Sequence, residues 1–359
     1  MKIGVLGSGN GGCAAAFDFA HAGHDVSLFD FPQFPDNIAA IAASRGIFAE
    51  GELNGFAELD YAGHDLQRVV SGSRLLLVVG PAYSTEPFAT ACKPYLEPGQ
   101  VVVVCPSSCA GAVVFKSALG LALGDESVLV ADTSTLPYAV RVTEPGRIHV
   151  FLKLRGGLFL AAMPGRRTGE VLALLDEVYP CMKPAANVLQ TALQNGNPVI
   201  HPAISLLNAA QIERTGGNFF FYEDGVTPAV GRLIEAVDRE RLAVGAKLGL
   251  DIVPDPMLGV EQGYMLEPSY DRGFSEAPGF RGIRAQSSLD YRYFHEDVGF
   301  GLVFLTSLGK LAGVETPVAD AVIDIVSVIM DRNYRKESAR SLEKLGLADK
   351  PLAEIIEQL

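Results

Sequence analysis

The side chains suited to acid–base chemistry gather in the second half of the chain. His201 stands between two prolines in Asn197-Pro198-Val199-Ile200-His201-Pro202, at the head of an apolar helical pattern that runs on through Ser205-Leu206-Leu207-Asn208. An imidazole is the side chain best placed to both take and give a proton near neutral pH. Pro202 has no N–H for the carbonyl four residues back, so the helix starts late or kinks at the histidine. Gln194, Asn195, Asn197, Ser205 and Asn208 add polar groups alongside. A packed core histidine is the competing reading, but it needs neither a freed carbonyl nor that polar company.

An acid–base histidine gains from a carboxylate that fixes its tautomer. The stretch Tyr291-Arg292-Tyr293-Phe294-His295-Glu296-Asp297-Val298 offers two carboxylates, and in Arg292 a cation able to hold an anionic group. Acidic residues in a first helical turn are also favoured simply by the helix dipole, and Arg292 also fits a surface position. Spacing does not choose between Glu296 and Asp297.

A second kind of site lies at the N-terminus. The apolar strand Lys2 to Leu6 runs into Gly7-Ser8-Gly9-Asn10-Gly11-Gly12, a GxGxxG pattern with Gly7, Gly9 and Gly12 in the three glycine positions. These serve a tight turn, the approach of backbone to a pyrophosphate, and close helix–strand packing. The following helix, rich in alanine, directs its N-terminal amides at the phosphates. The next strand, Asp25 to Phe29, ends in Asp30, where a carboxylate accepts hydrogen bonds from ribose hydroxyls. Strand, turn, helix and acid together point to a dinucleotide, with NAD(H) favoured by Asp30 and NADP(H) still open.

The elements that position these groups follow a Rossmann-type alternation. Leu75-Leu76-Leu77-Val78-Val79 and Val101-Val102-Val103-Val104 are continuous apolar runs, the pattern of parallel strands covered on both faces. The loops after them, Gly80-Pro81-Ala82 and Pro106 to Gly111, line the crevice expected for the ligand, with Pro81 against the cofactor. Ser107 and Ser108 fit either a helix cap or a contact to ligand. Tyr138 to Val142 and His149 to Leu154 read as the last strands of this domain. His21 and His24 fall at helical spacing without an acidic or cysteine partner that completes a metal pattern, and His64 has no supporting context, so no metal is assigned.

From about Ala185 strand-like runs give way to amphipathic ones. Thr227-Pro228 and Thr316-Pro317 open helices, the second with Ala321, Val322, Ile325, Val328 and Ile329 facing inward. Gly259 to Gly282 reads as an irregular loop. The expected architecture is an α/β Rossmann-type dinucleotide-binding domain over residues 1–185. An all-α C-terminal domain follows over residues 186–359.

With 359 residues and 48% hydrophobic content the chain can build two sizeable cores. A net charge of -13 and no basic run argue against nucleic acid or an anionic membrane as partner. Five cysteines without metal spacing read as reduced thiols of a cytoplasmic protein.

Read end to end, the chain resembles the opine dehydrogenase family. The resemblance is carried by the Gly7–Gly12 turn and by Asn197 to Pro202 with the SLLNAA that soon follows. It is carried further by Gly225-Val226-Thr227-Pro228 with Val237-Asp238-Arg239-Glu240-Arg241, and by Arg292-Tyr293-Phe294-His295-Glu296-Asp297. Arg335-Lys336-Glu337 and Leu342 to Leu347 match its C-terminal block. The resemblance implies His201 as the acid–base residue, Asp297 as its carboxylate partner and Arg292 as the group that binds a substrate carboxylate. It implies an all-α C-terminal domain like that of 6-phosphogluconate dehydrogenase, and reductive condensation of a 2-oxo acid such as pyruvate with an amino acid, using NAD(P)H. The partners expected are these small molecules, with a homodimer possible. One departure is visible: Cys105-Pro106-Ser107-Ser108 stands where the family carries an Asn-Pro-Gly type turn. A plain 2- or 3-hydroxy acid dehydrogenase and a dinucleotide sensor without catalysis are the alternative readings.

Overall fold

The computed structural model describes Met1–Leu359. The chain forms two compact units, Met1–Thr191 together with Glu357–Leu359, and Ala192–Ile356.

The first unit is built on twelve strands: β1 (Lys2–Leu6), β2 (Asp25–Phe29), β3 (Gly46–Gly51), β4 (Gly55–Glu58), β5 (Tyr61–Gly63), β6 (Leu75–Val78), β7 (Val101–Val104), β8 (Leu129–Thr133), β9 (Tyr138–Glu144), β10 (Arg147–Lys153), β11 (Leu158–Met163) and β12 (Met182–Pro184). Eight make one sheet in the order β12-β11-β8-β7-β6-β1-β2-β5. Its central strands are parallel, with Leu6 beside Phe29 on one side and Val78 on the other. The apolar runs of β6 and β7 are buried on both faces, as their composition requires. Strand order reverses between β1 and β6, so the turns after these two strands flank the crevice where an open parallel sheet binds ligand.

The remaining strands form a separate sheet, β4-β3-β10-β9. Tyr138 to Val142 and His149 to Leu154 are therefore strands, but outside the doubly wound sheet. Between the sheets runs helix α1 (Asn10–His21), buried continuously from Gly11 to Phe19. A helix apolar all round needs protein on every side, and the second sheet supplies it. The one carboxylate on it, Asp18, is compensated by Lys153 at 2.6 Å and by the Tyr138 hydroxyl at 2.7 Å. His21 ends α1, but His24 lies beyond its cap, with Nε2 3.3 Å from Glu177, an acidic neighbour that sequence order had hidden.

The second unit is helical. The helix Asn197–Leu207 carries His201 and packs on the long helix Pro228–Lys247 and on the segment that carries Asp297. The helix begins at Asn197, four residues before the histidine, and continues past Pro202 to Leu207, so it does not start late. Thr227 caps the long helix by accepting the Val230 N–H. Glu240, on that helix, caps Pro317–Ile329 by accepting the N–H groups of Val318 (2.7 Å) and Ala319 (2.9 Å). The inward face of Pro317–Ile329 is Ala319, Val322, Ile323 and Val326, whereas Ala321, Ile325, Val328 and Ile329 are exposed. This sequence is apolar around most of the helix, so periodicity alone allows two faces, and packing selected the other. Gly259 to Gly282 is also more ordered than its composition suggests, containing the second half of the helix Asp255–Gln262 and the short helix Arg272–Ser275.

Candidate active site

The turn after β1 is shaped by its glycines. Gly7 has φ of +109°, and a Cβ on Gly12 would lie 1.8 Å from the Gly7 carbonyl oxygen. A Cβ on Gly9 would meet nothing within 4 Å, so the backbone there borders open space at the N-terminus of α1, which no side chain caps. Open space, a twelve-residue helix and uncapped amides are what a pyrophosphate requires. Ser8 is buried, and both its N–H (2.7 Å) and its hydroxyl (2.6 Å) donate to one oxygen of Asp30. The Phe31 N–H donates to the other oxygen at 2.8 Å. Asp30 is thus locked at the end of β2, and a carboxylate has about four acceptor positions in all, leaving room for a ribose hydroxyl. Sequence reasoning missed His64, whose Nδ1 lies 2.7 Å from the Asp30 carbonyl.

Other expected cofactor residues serve the turn itself. The Asn10 side chain accepts the Val142 N–H at 2.7 Å. Gly11 packs against Leu136, leaving no room for a Cβ. Pro81 opens the turn after β6, and its carbonyl accepts the Ser84 hydroxyl at 2.7 Å. The loop after β7 is held by Ser107, which accepts the Gly111 N–H and donates to buried Asp132 at 2.7 Å. Next to it Ser108, Cys109 and Ala110 take left-handed φ of 44°, 65° and 60°, which costs about 1–2 kcal/mol each.

In the helical unit the structure brings His201 and Asp297 together. Nδ1 of His201 lies 2.8 Å from Oδ2 of Asp297, across 96 positions of sequence, with both side chains buried. Asp297 starts a π-helical stretch, Asp297–Leu302, between the short helix Arg292–His295 and the helix Val303–Ala312. A π turn interrupts ordinary helical phase and is a recurrent feature of functional sites. Gly301 lets this stretch approach the histidine helix, because a Cβ there would lie 2.3 Å from Pro198. Of the two carboxylates left open by spacing, Glu296 is turned elsewhere. It is buried rather than solvated, and lies 3.1 Å from the Nε of Arg292, whose side chain is half-exposed.

The other ring nitrogen, Nε2, lies 3.1 Å from the hydroxyl of Tyr222. Tyr293 stacks on the imidazole with centroids 4.0 Å apart. Burial pushes the Tyr222 phenol well above its ordinary pKa, with Tyr293, Tyr264, Asp297 and Asp255 adding to the shift. The polar residues flanking the histidine in sequence do other work. Gln194 exchanges two hydrogen bonds with Val253, Asn195 accepts the Asn197 N–H, and Asn208 donates to the carbonyls of Ile204 and Gly225. Only Ser205 faces a further side chain, accepting from Gln286 at 3.0 Å.

The chain is similar to known proteins along nearly its whole length. Residues 184–330 match the family model for the α-helical domain of NAD/NADP octopine/nopaline dehydrogenases. An opine dehydrogenase from Arthrobacter sp. (strain 1C) is 36% identical over 96% of this chain and 94% of its own. The chain belongs to the opine dehydrogenase family. It is an NAD(P)-dependent oxidoreductase of the type acting on CH–NH bonds. Its fold is that of octopine dehydrogenase solved with NADH and agmatine, with TM-score 0.82, 19% identity, and coverage of 99% of this chain and 98% of that one. Yersinopine dehydrogenase with NADP+ bound gives TM-score 0.74 at 17% identity, covering 100% and 98%.

Proposed function

We propose that this opine dehydrogenase joins a 2-oxo acid of the pyruvate class to the amino group of an amino acid, giving an N-(carboxyalkyl)amino acid. In this reading His201 is the acid–base residue, Asp297 its orienting carboxylate and Arg292 the cation that holds a substrate carboxylate. The observation that carries it is the 2.8 Å contact between His201 and Asp297. Octopine dehydrogenase has been solved with NADH and L-arginine and with NADH and pyruvate, which supports one substrate of each class.

The backbone of Gly7, Ser8, Gly9, Asn10, Gly11 and Gly12 would hold the pyrophosphate of the dinucleotide, Asp30 its ribose, and Pro81 the crevice wall. A nicotinamide bound there supplies hydride to the substrate carbon. The Asp30 carboxylate repels a 2′-phosphate, which favours NAD(H) over NADP(H). Five free cysteines, four of them buried, suit a reducing cytoplasm.

The protein's own part is proton traffic. An amine loses a proton before it attacks a keto carbon, and the carbinolamine gains one on oxygen to release water. Asp297 accepts a hydrogen bond from the Nδ1–H of His201, leaving the Nε2 lone pair to accept the first proton and later return it. Arg292 would fix the substrate carboxylate, bringing carbon and proton donor into register.

The test is the amine dependence of NADH oxidation. Pyruvate alone, each common amino acid alone, and each pair are assayed, with product mass measured. Oxidation only with both substrates, and a mass equal to their sum less water plus two hydrogens, is expected. Oxidation of NADH by pyruvate without an amine would overturn the reading in favour of a hydroxy acid dehydrogenase.

A further inference from the structure

We propose that Tyr222 is the residue that passes the proton between His201 and the substrate, so that the histidine works through a phenol rather than by direct contact. The inference rests on His201 being the acid–base residue. Both ring nitrogens of His201 are engaged, Nδ1 by Asp297 at 2.8 Å and Nε2 by the Tyr222 hydroxyl at 3.1 Å. One face of the imidazole is covered by Tyr293, whose ring is 26° from parallel, and the residue is 7% exposed. The nitrogen with chemistry left to do therefore already has a partner, and that partner is itself a proton carrier.

The phenol is held where it is by its surroundings. Its ring stacks on Phe280 at 4.2 Å and meets Phe221 edge-on at 5.1 Å, and Phe280 in turn stacks on Tyr264 at 5.0 Å. The backbone just before it is tied to the segment 283–285, with the Phe221 N–H on the Ile283 carbonyl (2.8 Å) and the Ala285 N–H on the Phe219 carbonyl (3.0 Å). A ring clamped this way cannot swing far, so the hydroxyl stays on Nε2. The same burial keeps the phenol protonated, and its ionisable neighbours are Tyr293, Tyr264, Asp297 and Asp255. A relay residue needs this property, because it must hold a proton to give while receiving another.

The step balances with one net proton. As the carbinolamine C–O bond breaks, its oxygen takes the Tyr222 proton and leaves as water. The phenol oxygen takes the Nε2 proton of the imidazolium in the same motion, leaving neutral His201 with Nδ1–H on Asp297. Deprotonation of the incoming amine is the reverse transfer. No phenolate accumulates.

Tyr222→Phe keeps the ring and its stacking while removing the hydroxyl. With NADH, pyruvate and the amino acid that the wild type uses fastest, kcat should fall about 10²-fold or more. NADH affinity and both substrate KM values should hold. A kcat equal to wild type would overturn the relay. A second measurement does not depend on the variant folding: the rate of wild-type turnover across mixtures of H₂O and D₂O. Two protons moving together give a bowed dependence, and a straight line of one-proton form overturns the proposal. His201→Asn separates the two levels of argument. If it is inactive while Tyr222→Phe is normal, only the relay fails; if it is active, the acid–base reading itself fails.

Discussion

The two sites of this protein are made of different material. The glycine turn works through backbone: helix amides, open space beside Gly9, and a carboxylate at the next strand end whose hydrogen bonds reach only 22 positions back to Ser8. The histidine site works through side chains drawn from distant segments, with His201, Tyr222 and Asp297 meeting in a buried pocket of rings. A backbone site tolerates side-chain exchange but no added volume. A side-chain site tolerates volume less critically and depends on each functional group and on the charges packed around it.

The contrast can be broken by exchanging one functional group at a time. The largest effect is expected for Asp297→Asn, which keeps the shape but removes the negative charge and offers His201 an amide that can donate as well as accept. Its kcat should fall ~10²–10⁴-fold with NADH affinity unchanged, as steady-state rates and a fluorescence titration would report.

Next comes the pH response of the helical unit. Asp255 is buried, and its N–H donates to Asp238, which also accepts from Tyr270 and pairs with Arg241 at 2.6 Å. Burial first, and the negative charge of Asp238 second, push the Asp255 carboxyl up to about 7. A carboxyl raised in the folded state contributes stability that is complete below its unfolded pKa, near 4, and is lost as pH rises through about 7. Asp255→Asn should therefore stabilise the protein at pH 8 but not at pH 4. Urea midpoints of variant and wild type at the two pH values measure it, and a difference between them that is the same at pH 4 and pH 8 would contradict the assignment.

Gly12→Ala carries the comparison to the other site. Its Cβ would strike the Gly7 carbonyl, and overpacking of this kind costs about 1–3 kcal/mol. NADH affinity should fall with it, while the His201 environment, followed by histidine NMR signals, stays as it was. The smallest change is expected for Asp30→Ala. Loss of charge-assisted hydrogen bonds to a ribose, about 1.5 kcal/mol, weakens NADH binding by roughly tenfold and narrows the preference over NADPH.

The same contrast decides what could be read before folding. Strand, turn, helix and acid lie within 30 residues, so the strand–turn–helix geometry around Gly7 to Gly12 and the place of Asp30 beside it were legible from local pattern. What was not legible there is that Ser8 and Asn10 spend their side chains on Asp30 and Val142. Strands β3 and β4 escaped notice because their short, half-exposed sequences lack the apolar runs of the central sheet. At the second site His201 stood out by its prolines, but Gln194, Asn195, Ser205 and Asn208 beside it make their hydrogen bonds to groups other than the imidazole. Its partner Tyr222 ends the run Phe219-Phe220-Phe221-Tyr222, which carries an aromatic signal and no sign of a hydrogen bond. Nothing but the closely spaced Gly299 and Gly301 marked the π turn that sets Asp297 apart from Glu296.

The central claim is that His201 moves protons while the glycine turn binds the dinucleotide. It is tested most directly by measuring kcat and the NADH dissociation constant of His201→Asn side by side. A kcat lowered ~10²–10⁴-fold with the NADH constant unchanged is the predicted result. A variant that turns over pyruvate and amine at the wild-type rate would contradict it.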